Sequence, residues 1–258
     1  MAENEQDLKA ELERLRAENE ALKKNKPERA VTLKVSEKGA LATARGPRTD
    51  GPGTNKDPDE RQRKKLLLRE PHVAPLTKYV EDLRVQRPDA DIPWFDPTEA
   101  GVRARVLILL EAPGPRAVAS GFISPDNGDP TAENMWKLLP EAGIDRGQEV
   151  VTWNVVPWHI GDGNRIRGAK VRDLDEARST LGQLLGLLPQ VRIVVLLGKR
   201  ARQAWARHGL GAELKVLCAP HPSARNLRLR PDARGQILEA LRKAHRMAGA
   251  KALAFLPG

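Results

Sequence analysis

The stretch Val106-Leu-Ile-Leu-Leu-Glu-Ala-Pro-Gly, residues 106–114, decides the fold. Five consecutive apolar residues indicate a β-strand that is buried on both faces, as strands of parallel sheets are. Glu111-Ala-Pro-Gly ends this run. The segment therefore predicts a central strand followed directly by a loop that carries a carboxylate.

Three further strands and several helices are predicted around this strand. The strands are expected at 150–156, 191–197 and 215–218, and the helices at 131–139, 173–188, 199–205 and 231–247. Pro140 is expected to end the first of these helices, and Asp173 to cap the second. Strands that alternate with helices predict an α/β fold, with a mostly parallel sheet and helices on both faces.

The N-terminal residues 1–26 carry a short heptad pattern. Its apolar positions and one polar position are spaced 4, 3, 4 and 3 apart, at Leu8, Leu12, Leu15, Asn19 and Leu22. A single Asn at such a position favours a parallel two-stranded coiled coil. The pattern predicts a homodimer formed through residues 6–25. Because three heptads are few, a solvated single helix is the alternative.

Residues 27–69 are predicted to be a flexible basic linker. They are rich in Gly, Pro, Lys and Arg, and no aromatic residue precedes Tyr79, so the segment has little apolar surface with which to offset the entropy of ordering. The run Arg61-Gln-Arg-Lys-Lys at the end of this segment is either a nucleic-acid contact or a solvated charge cluster. The folded domain is then expected at residues 70–258.

The charge of the chain is concentrated near its C-terminus. The 258 residues carry 44 Lys and Arg against 34 Asp and Glu, and residues 190–258 hold 14 of the former and 3 of the latter. This +11 excess indicates either a phosphate-binding surface or an ordinary basic one.

The single Cys218 excludes disulfides and cysteine cages for zinc or iron–sulfur clusters, which favours a cytoplasmic location. No apolar run is long enough for a membrane span.

Polar residues follow several of the predicted strands. Glu111 follows the first strand, Asn154 lies near the end of the second, and His221 and Ser223 follow the fourth. Ligands of open α/β sheets bind beyond the carboxyl ends of the strands. A carboxylate, an amide and an imidazole are therefore expected at one rim, where the loop that contains Phe122 can cover them.

These pieces together resemble the uracil-DNA glycosylase superfamily over about residues 100–250. The matching motifs are Leu110-Glu-Ala-Pro-Gly, Gly121-Phe122, Thr152-Trp-Asn-Val-Val, Leu197-Gly-Lys-Arg-Ala-Arg and His221-Pro-Ser-Ala-Arg-Asn. Each motif is weak alone, but their order and spacing together are specific. The resemblance implies a three-layer αβα sandwich and an enzyme that excises uracil, or a related deaminated base, from single- or double-stranded DNA.

The resemblance also implies a role for each motif residue. Glu111 and His221 would be catalytic, Asn154, Phe122 and Ala112 would bind the base, and Ser223, Arg225, Arg228 and Arg230 would contact DNA. Phe122 would stack on a base turned out of the duplex, and Arg225 would fill the gap that this base leaves. Neither a metal nor a cofactor is implied for the reaction.

The sequence departs from the family pattern in two places. Members whose first motif reads Gly-Glu-Ala-Pro-Gly usually hold an iron–sulfur cluster on four cysteines, whereas here Leu110 replaces the first Gly and Cys218 stands alone. A non-catalytic nucleic-acid-binding module of the same fold is therefore the alternative function. A small-molecule enzyme acting on a nucleotide is a third reading, although no phosphate-binding glycine fingerprint supports it.

Overall fold

The computed structural model describes residues 51–161, 167–209 and 211–250. The compact unit that contains the sheet begins at Arg48. The coiled coil predicted for residues 1–26 and the first part of the predicted linker lie outside the described residues. The homodimer through residues 6–25 stays a prediction.

Four parallel strands form the main sheet. The strands of the described residues are β1 (Trp94–Phe95), β2 (Val106–Leu110), β3 (Phe122–Ile123), β4 (Val150–Asn154), β5 (Ile193–Leu197) and β6 (Lys215–Ala219). The order in the main sheet is β4-β2-β5-β6, and β1 pairs separately with β3, also in parallel. The predicted α/β class and parallel sheet are confirmed.

Helices connect these strands. They are α1 (Pro58–Leu67), α2 (Ala74–Gln86), α3 (Pro115–Ser120), α4 (Pro130–Glu141), α5 (Arg146–Glu149), α6 (Val171–Glu176), α7 (Arg178–Gly186), α8 (Lys199–His208), α9 (Ala224–Leu229) and α10 (Ala233–Ala250), with 3₁₀ turns at Thr54–Lys56 and Gly101–Arg103. Within the described part of the chain, no helix has both the length and the hydropathy needed to cross a bilayer.

The alternation of side chains along the sheet creates two cores. Leu107 and Leu109 of β2 face one core, which they share with α2, α6, α7 and α8. Val106 and Ile108 face the opposite core, which contains side chains of α4 and α10. Both faces of β2 are thus covered, which explains its unbroken apolar run. The three-layer arrangement implied by the resemblance is present.

Several predicted boundaries differ from the structure. Helix α4 continues through Pro140 to Glu141, since a proline in the last turn removes only one helical hydrogen bond. Asp173 is not the cap of its helix, which begins at Val171. Its carboxylate accepts a hydrogen bond from the Lys170 N–H at 2.7 Å and pairs with Arg167. The long helix predicted to end near Leu188 is two helices, α6 and α7.

The prediction of a linker up to Arg69 is wrong for residues 54–69. Helix α1 lies in this range, and its Lys64 side chain is only 1% exposed. Two buried carboxylates, Asp96 and Asp126, lie within 3 Å of the Lys64 ammonium. A buried charge is tolerated when it is paired in this way. The pairing explains why Lys64 is buried although it lies in a charged run with little apolar content. The alternatives of a nucleic-acid contact and a solvated cluster both fail for Lys64.

Candidate active site

The predicted rim residues gather at the carboxyl edge of the main sheet. Asn154, the last residue of β4, is in register with Leu110, which directly precedes Glu111. On the other side of β2, Leu197 of β5 is in register with Ala219 of β6. Neighbouring strands lie about 4.8 Å apart, so loops after all four strands meet within about 15 Å.

Asn154 has a side-chain amide that none of the described residues binds. Its residue is 5% exposed, and no described residue hydrogen-bonds to its side chain. The amide therefore keeps both a donor and an acceptor for a ligand, at the point of the fold where ligands of parallel sheets bind.

Glu111 is a half-buried carboxylate that the neighbouring chain orients. Its Oε1 atom accepts a hydrogen bond from the backbone N–H of Ala169 at 2.6 Å. Its backbone carbonyl accepts one from Val156 N–H at 3.0 Å, which ties the Glu111 loop to the segment after β4. No described residue donates to Oε2. One carboxylate oxygen is thus fixed and the other keeps its capacity to accept.

His221 is held in a definite tautomer. Its Nδ1 atom accepts a hydrogen bond from the Ser223 backbone N–H at 3.2 Å, so in the neutral ring the proton lies on Nε2. Burial lowers the pKa of His221 below its usual value, and the nearby Asp129 carboxylate opposes this shift. The ring is therefore neutral at pH 7 and has an Nε2–H donor.

Two hydrogen bonds and a close backbone approach position the loop that carries His221. Asn226 Nδ2 donates to the His221 carbonyl, and Asn134 Nδ2 of α4 donates to the Pro222 carbonyl, both at 2.8 Å. Gly198 has a φ of 96°, and a Cβ at this position would lie 3.0 Å from the His221 Cβ. Gly198 lies in the motif Leu197-Gly-Lys-Arg-Ala-Arg, but its close approach to His221 was not predicted from the sequence.

Two predicted base-binding residues are less accessible than expected. Phe122 is fully buried in a small apolar cluster with Leu68 and Val73, and the Lys64 Nζ lies 5.9 Å from the centre of its ring. No face of the ring is open in this structure, so its stacking role stays a prediction. Ala112 is half-buried and packs against the core on the α2 side of the sheet.

The predicted DNA contacts lie on and around α9. Ser223 caps this helix, since its hydroxyl accepts a hydrogen bond from Asn226 N–H at 3.4 Å. Arg225, Arg228 and Arg230 are exposed, and none of them forms an ion pair with an acidic residue in the described part of the chain. These arginines therefore form a basic surface on and around α9, and their contacts with DNA stay predictions.

His159 also contacts the Glu111 motif, which sequence reasoning missed. Its Nδ1 atom lies 2.8 Å from the Pro113 carbonyl, and because a carbonyl can only accept, Nδ1 carries the proton. Its Nε2 atom is buried and has no hydrogen-bond partner among the described residues. This histidine fastens the segment after β4 to the loop after β2.

The residues do not fit an iron–sulfur cluster of the kind that some relatives hold. Such a cluster takes four thiolates, and the chain has one cysteine, Cys218, which is exposed on β6. Among the described residues, no group of three or more His, Cys, Asp or Glu side chains is placed to hold a metal ion.

A parallel sheet covered by helices on both faces, with polar residues at its carboxyl edge, defines an open α/β protein of the kind that binds ligands at that edge. The family model described as "Uracil DNA glycosylase superfamily" matches residues 97–242, more than half of the chain. The matched range includes Glu111, Asn154 and His221. The chain therefore belongs to the uracil-DNA glycosylase superfamily, and the resemblance seen in the sequence is confirmed.

Among solved structures, the chain is similar to a solution NMR structure described as a "putative Uracil DNA glycosylase" from Methanosarcina acetivorans. The two are 15% identical, the match covers 55% of this chain and 92% of that one, and the TM-score is 0.37. The curated proteins gave no match.

Proposed function

We propose that the chain is a DNA glycosylase that hydrolyses the N-glycosidic bond of uracil, or a related deaminated base, in DNA. Superfamily membership supports the hydrolase class and DNA as the partner. The observation that carries the proposal concerns Asn154, a residue only 5% exposed whose side chain hydrogen-bonds to no described residue and which is in register with the residue before Glu111.

The residue types fit the charges that this reaction develops. As the bond between C1′ and N1 breaks, its electron pair leaves with the base, and positive charge builds on the sugar. The Glu111 carboxylate would stabilise this cation and orient the water that adds to C1′, and the proton of that water is then released. The Nε2–H of His221 would donate to uracil O2 as negative charge forms there, as oxyanion-hole donors do.

Asn154 would read the base. Its amide can donate to uracil O4 and accept from N3–H. Cytosine presents an amino donor and an unprotonated N3 at the same places, so its pairing with this amide fails. Ser223, Arg225, Arg228 and Arg230 would bind the phosphates on either side, and Arg225 would enter the gap left by the flipped base.

The test is an excision assay with the purified full chain in excess over oligonucleotides that contain one uracil. Alkali cleaves the abasic product, which a denaturing gel then resolves. We expect cleavage at the uracil in single- and double-stranded substrates and none where thymine or cytosine replaces it. Binding to all three oligonucleotides without any abasic product would overturn the proposal and favour the non-catalytic module.

A further inference from the structure

Residues 53–64, here called the strap, hydrogen-bond to residues 122–128, which comprise β3 and the loop after it and are here called the loop 122–128. The backbone N–H groups of Gly53 and Asn55 both donate to the Asp126 carbonyl, at 3.0 and 3.2 Å. The Asn55 side chain donates to Asn127 Oδ1 at 2.9 Å, and Asn127 Nδ2 donates to the Phe122 carbonyl at 2.9 Å. A continuous series of hydrogen bonds thus joins the strap to Phe122.

Lys64 is the strongest attachment of the strap. Its ammonium donates to Asp126 Oδ2 at 2.7 Å, to Asp96 Oδ2 at 2.9 Å and to Ser124 Oγ at 3.3 Å. These bonds use all three of its donors. Arg146 also donates to Asp126 Oδ2, at 2.8 Å. With two cations facing Asp96 and Asp126 the cluster is balanced, so the loss of Lys64 would leave buried carboxylate charge in excess.

The far end of the same loop leads into α4, which is bonded to the His221 loop. Asp129, directly after the loop, caps α4 by accepting hydrogen bonds from Thr131 and Ala132 N–H, and its charge acts on the His221 ring. Helix α4 in turn holds the Pro222 carbonyl through Asn134. The loop 122–128 therefore runs between the strap on one side and the His221 loop on the other.

We infer that the strap is a positioning element of the active site, with Lys64 as its principal positioning residue. This inference rests on the proposed glycosylase function. The strap fixes the loop 122–128, and through it the Phe122 ring and the start of α4. A misplacement of about 1 Å in such supporting structure costs about 10²-fold in rate. Residues 53–64 would thus set the rate of excision although they belong to no family motif.

The test compares Lys64→Met with Lys65→Met in the full chain. Lys65 is the exposed neighbour on the same helix, so its variant controls for the loss of a charge from α1. We expect Lys64→Met to accelerate hydrogen exchange of the amides at 122–128 at least tenfold and to lower the single-turnover excision rate by about 10²-fold. Affinity for DNA with an abasic site should stay within twofold, because the arginines around α9 are untouched.

If the strap only stabilises the fold, a different result is expected. The melting temperature of Lys64→Met would fall, but its excision rate per folded molecule and its hydrogen exchange at 122–128 would match those of Lys65→Met. This result would overturn the inference. Faster exchange with an unchanged rate would overturn it as well. Should Lys64→Met not fold, Asn55→Ala decides the matter, since it removes only the bond to Asn127. We then expect faster loop exchange and about tenfold slower excision, and no change in either would refute the positioning role.

The two proposals fail in distinguishable ways. If the wild-type chain excises no base, the proposed glycosylase function is wrong. The hydrogen-exchange comparison does not need activity, and it still decides whether Lys64 holds the loop 122–128. If wild-type excision is normal and Lys64→Met, folded, equals Lys65→Met in rate, only the inference about the strap is wrong.

Discussion

Replacing Gly198 with alanine is expected to disturb catalysis through His221 without removing any motif side chain. The backbone of Gly198 has φ 96° and ψ 171°, a conformation that is almost confined to glycine. An ideal Cβ there would lie 3.0 Å from the Cβ and 3.3 Å from the Cδ2 of His221. The added methyl group must therefore either shift the imidazole or bend the backbone.

The magnitude follows from these two effects. Forcing a residue with a side chain into this backbone region costs about 1–3 kcal/mol of stability. Restoring an ordinary contact distance moves the imidazole by about half an ångström. Since a displacement of 1 Å costs about 10²-fold in rate, half that displacement should cost about tenfold.

The assay is single-turnover excision at a temperature where the variant is folded, with unfolding followed separately by circular dichroism. Gly209→Ala is the matched control, because Gly209 also has a positive φ, 62°, but no atom lies within 4 Å of its ideal Cβ. We expect Gly209→Ala to lose about 1–2 kcal/mol of stability at an unchanged rate. If Gly198→Ala also loses stability alone, the reasoning that Gly198 determines the position of the His221 ring is wrong.

Three further predictions concern the base, the buried acids and the chain boundary. Asn154→Asp should slow uracil excision about tenfold to a hundredfold, from a mismatch of about 1–3 kcal/mol. An unchanged rate in the gel assay would mean that another residue reads the base. Burial raises the pKa of Glu99 to about 8 from its ordinary value of 4.5. The folded chain then holds a proton that the unfolded chain releases, so stability should fall as pH rises from about 4.5 to about 8. Thermal melting at pH 6 and 9 should show a smaller fall for Glu99→Gln, and equal falls would contradict the assignment. A chain that begins at residue 51 should excise uracil, whereas one that begins at residue 70 should not melt cooperatively, because it lacks α1. Normal melting of the shorter chain would show that α1 is dispensable.

The sheet and the location of the site were predictable because they depend on local pattern. The apolar run Val106–Leu110 needs cover on both faces, and this requirement alone indicates a parallel strand between helices. Parallel strands bring their carboxyl ends to one edge, so Glu111, Asn154 and His221 could be grouped without coordinates. Each of these predictions uses residues close together in the sequence.

The strap was not predictable because its stability comes from distant partners. Lys64 lies in a run of charged residues that is typical of a solvated surface, and its partners Asp96 and Asp126 are 32 and 62 residues away. Nothing in the sequence marks those aspartates as partners of Lys64. The burial of Phe122 was not predicted for the same reason, since Leu68, which covers it together with Val73, lies inside the region predicted to be a linker.

The central claim is that Glu111, at the carboxyl edge of the sheet, supports cleavage of the base from the sugar. The most direct measurement is the rate at which free uracil is released in a single turnover. Mass spectrometry would quantify the uracil over time for wild type, Glu111→Gln and Glu141→Gln. Glu141 is a surface carboxylate paired with Arg234, so its variant controls for the loss of one acidic group. We predict stoichiometric uracil from wild type and Glu141→Gln, and a rate at least about 10²-fold lower from Glu111→Gln. Equal uracil release by a folded Glu111→Gln variant would contradict the account.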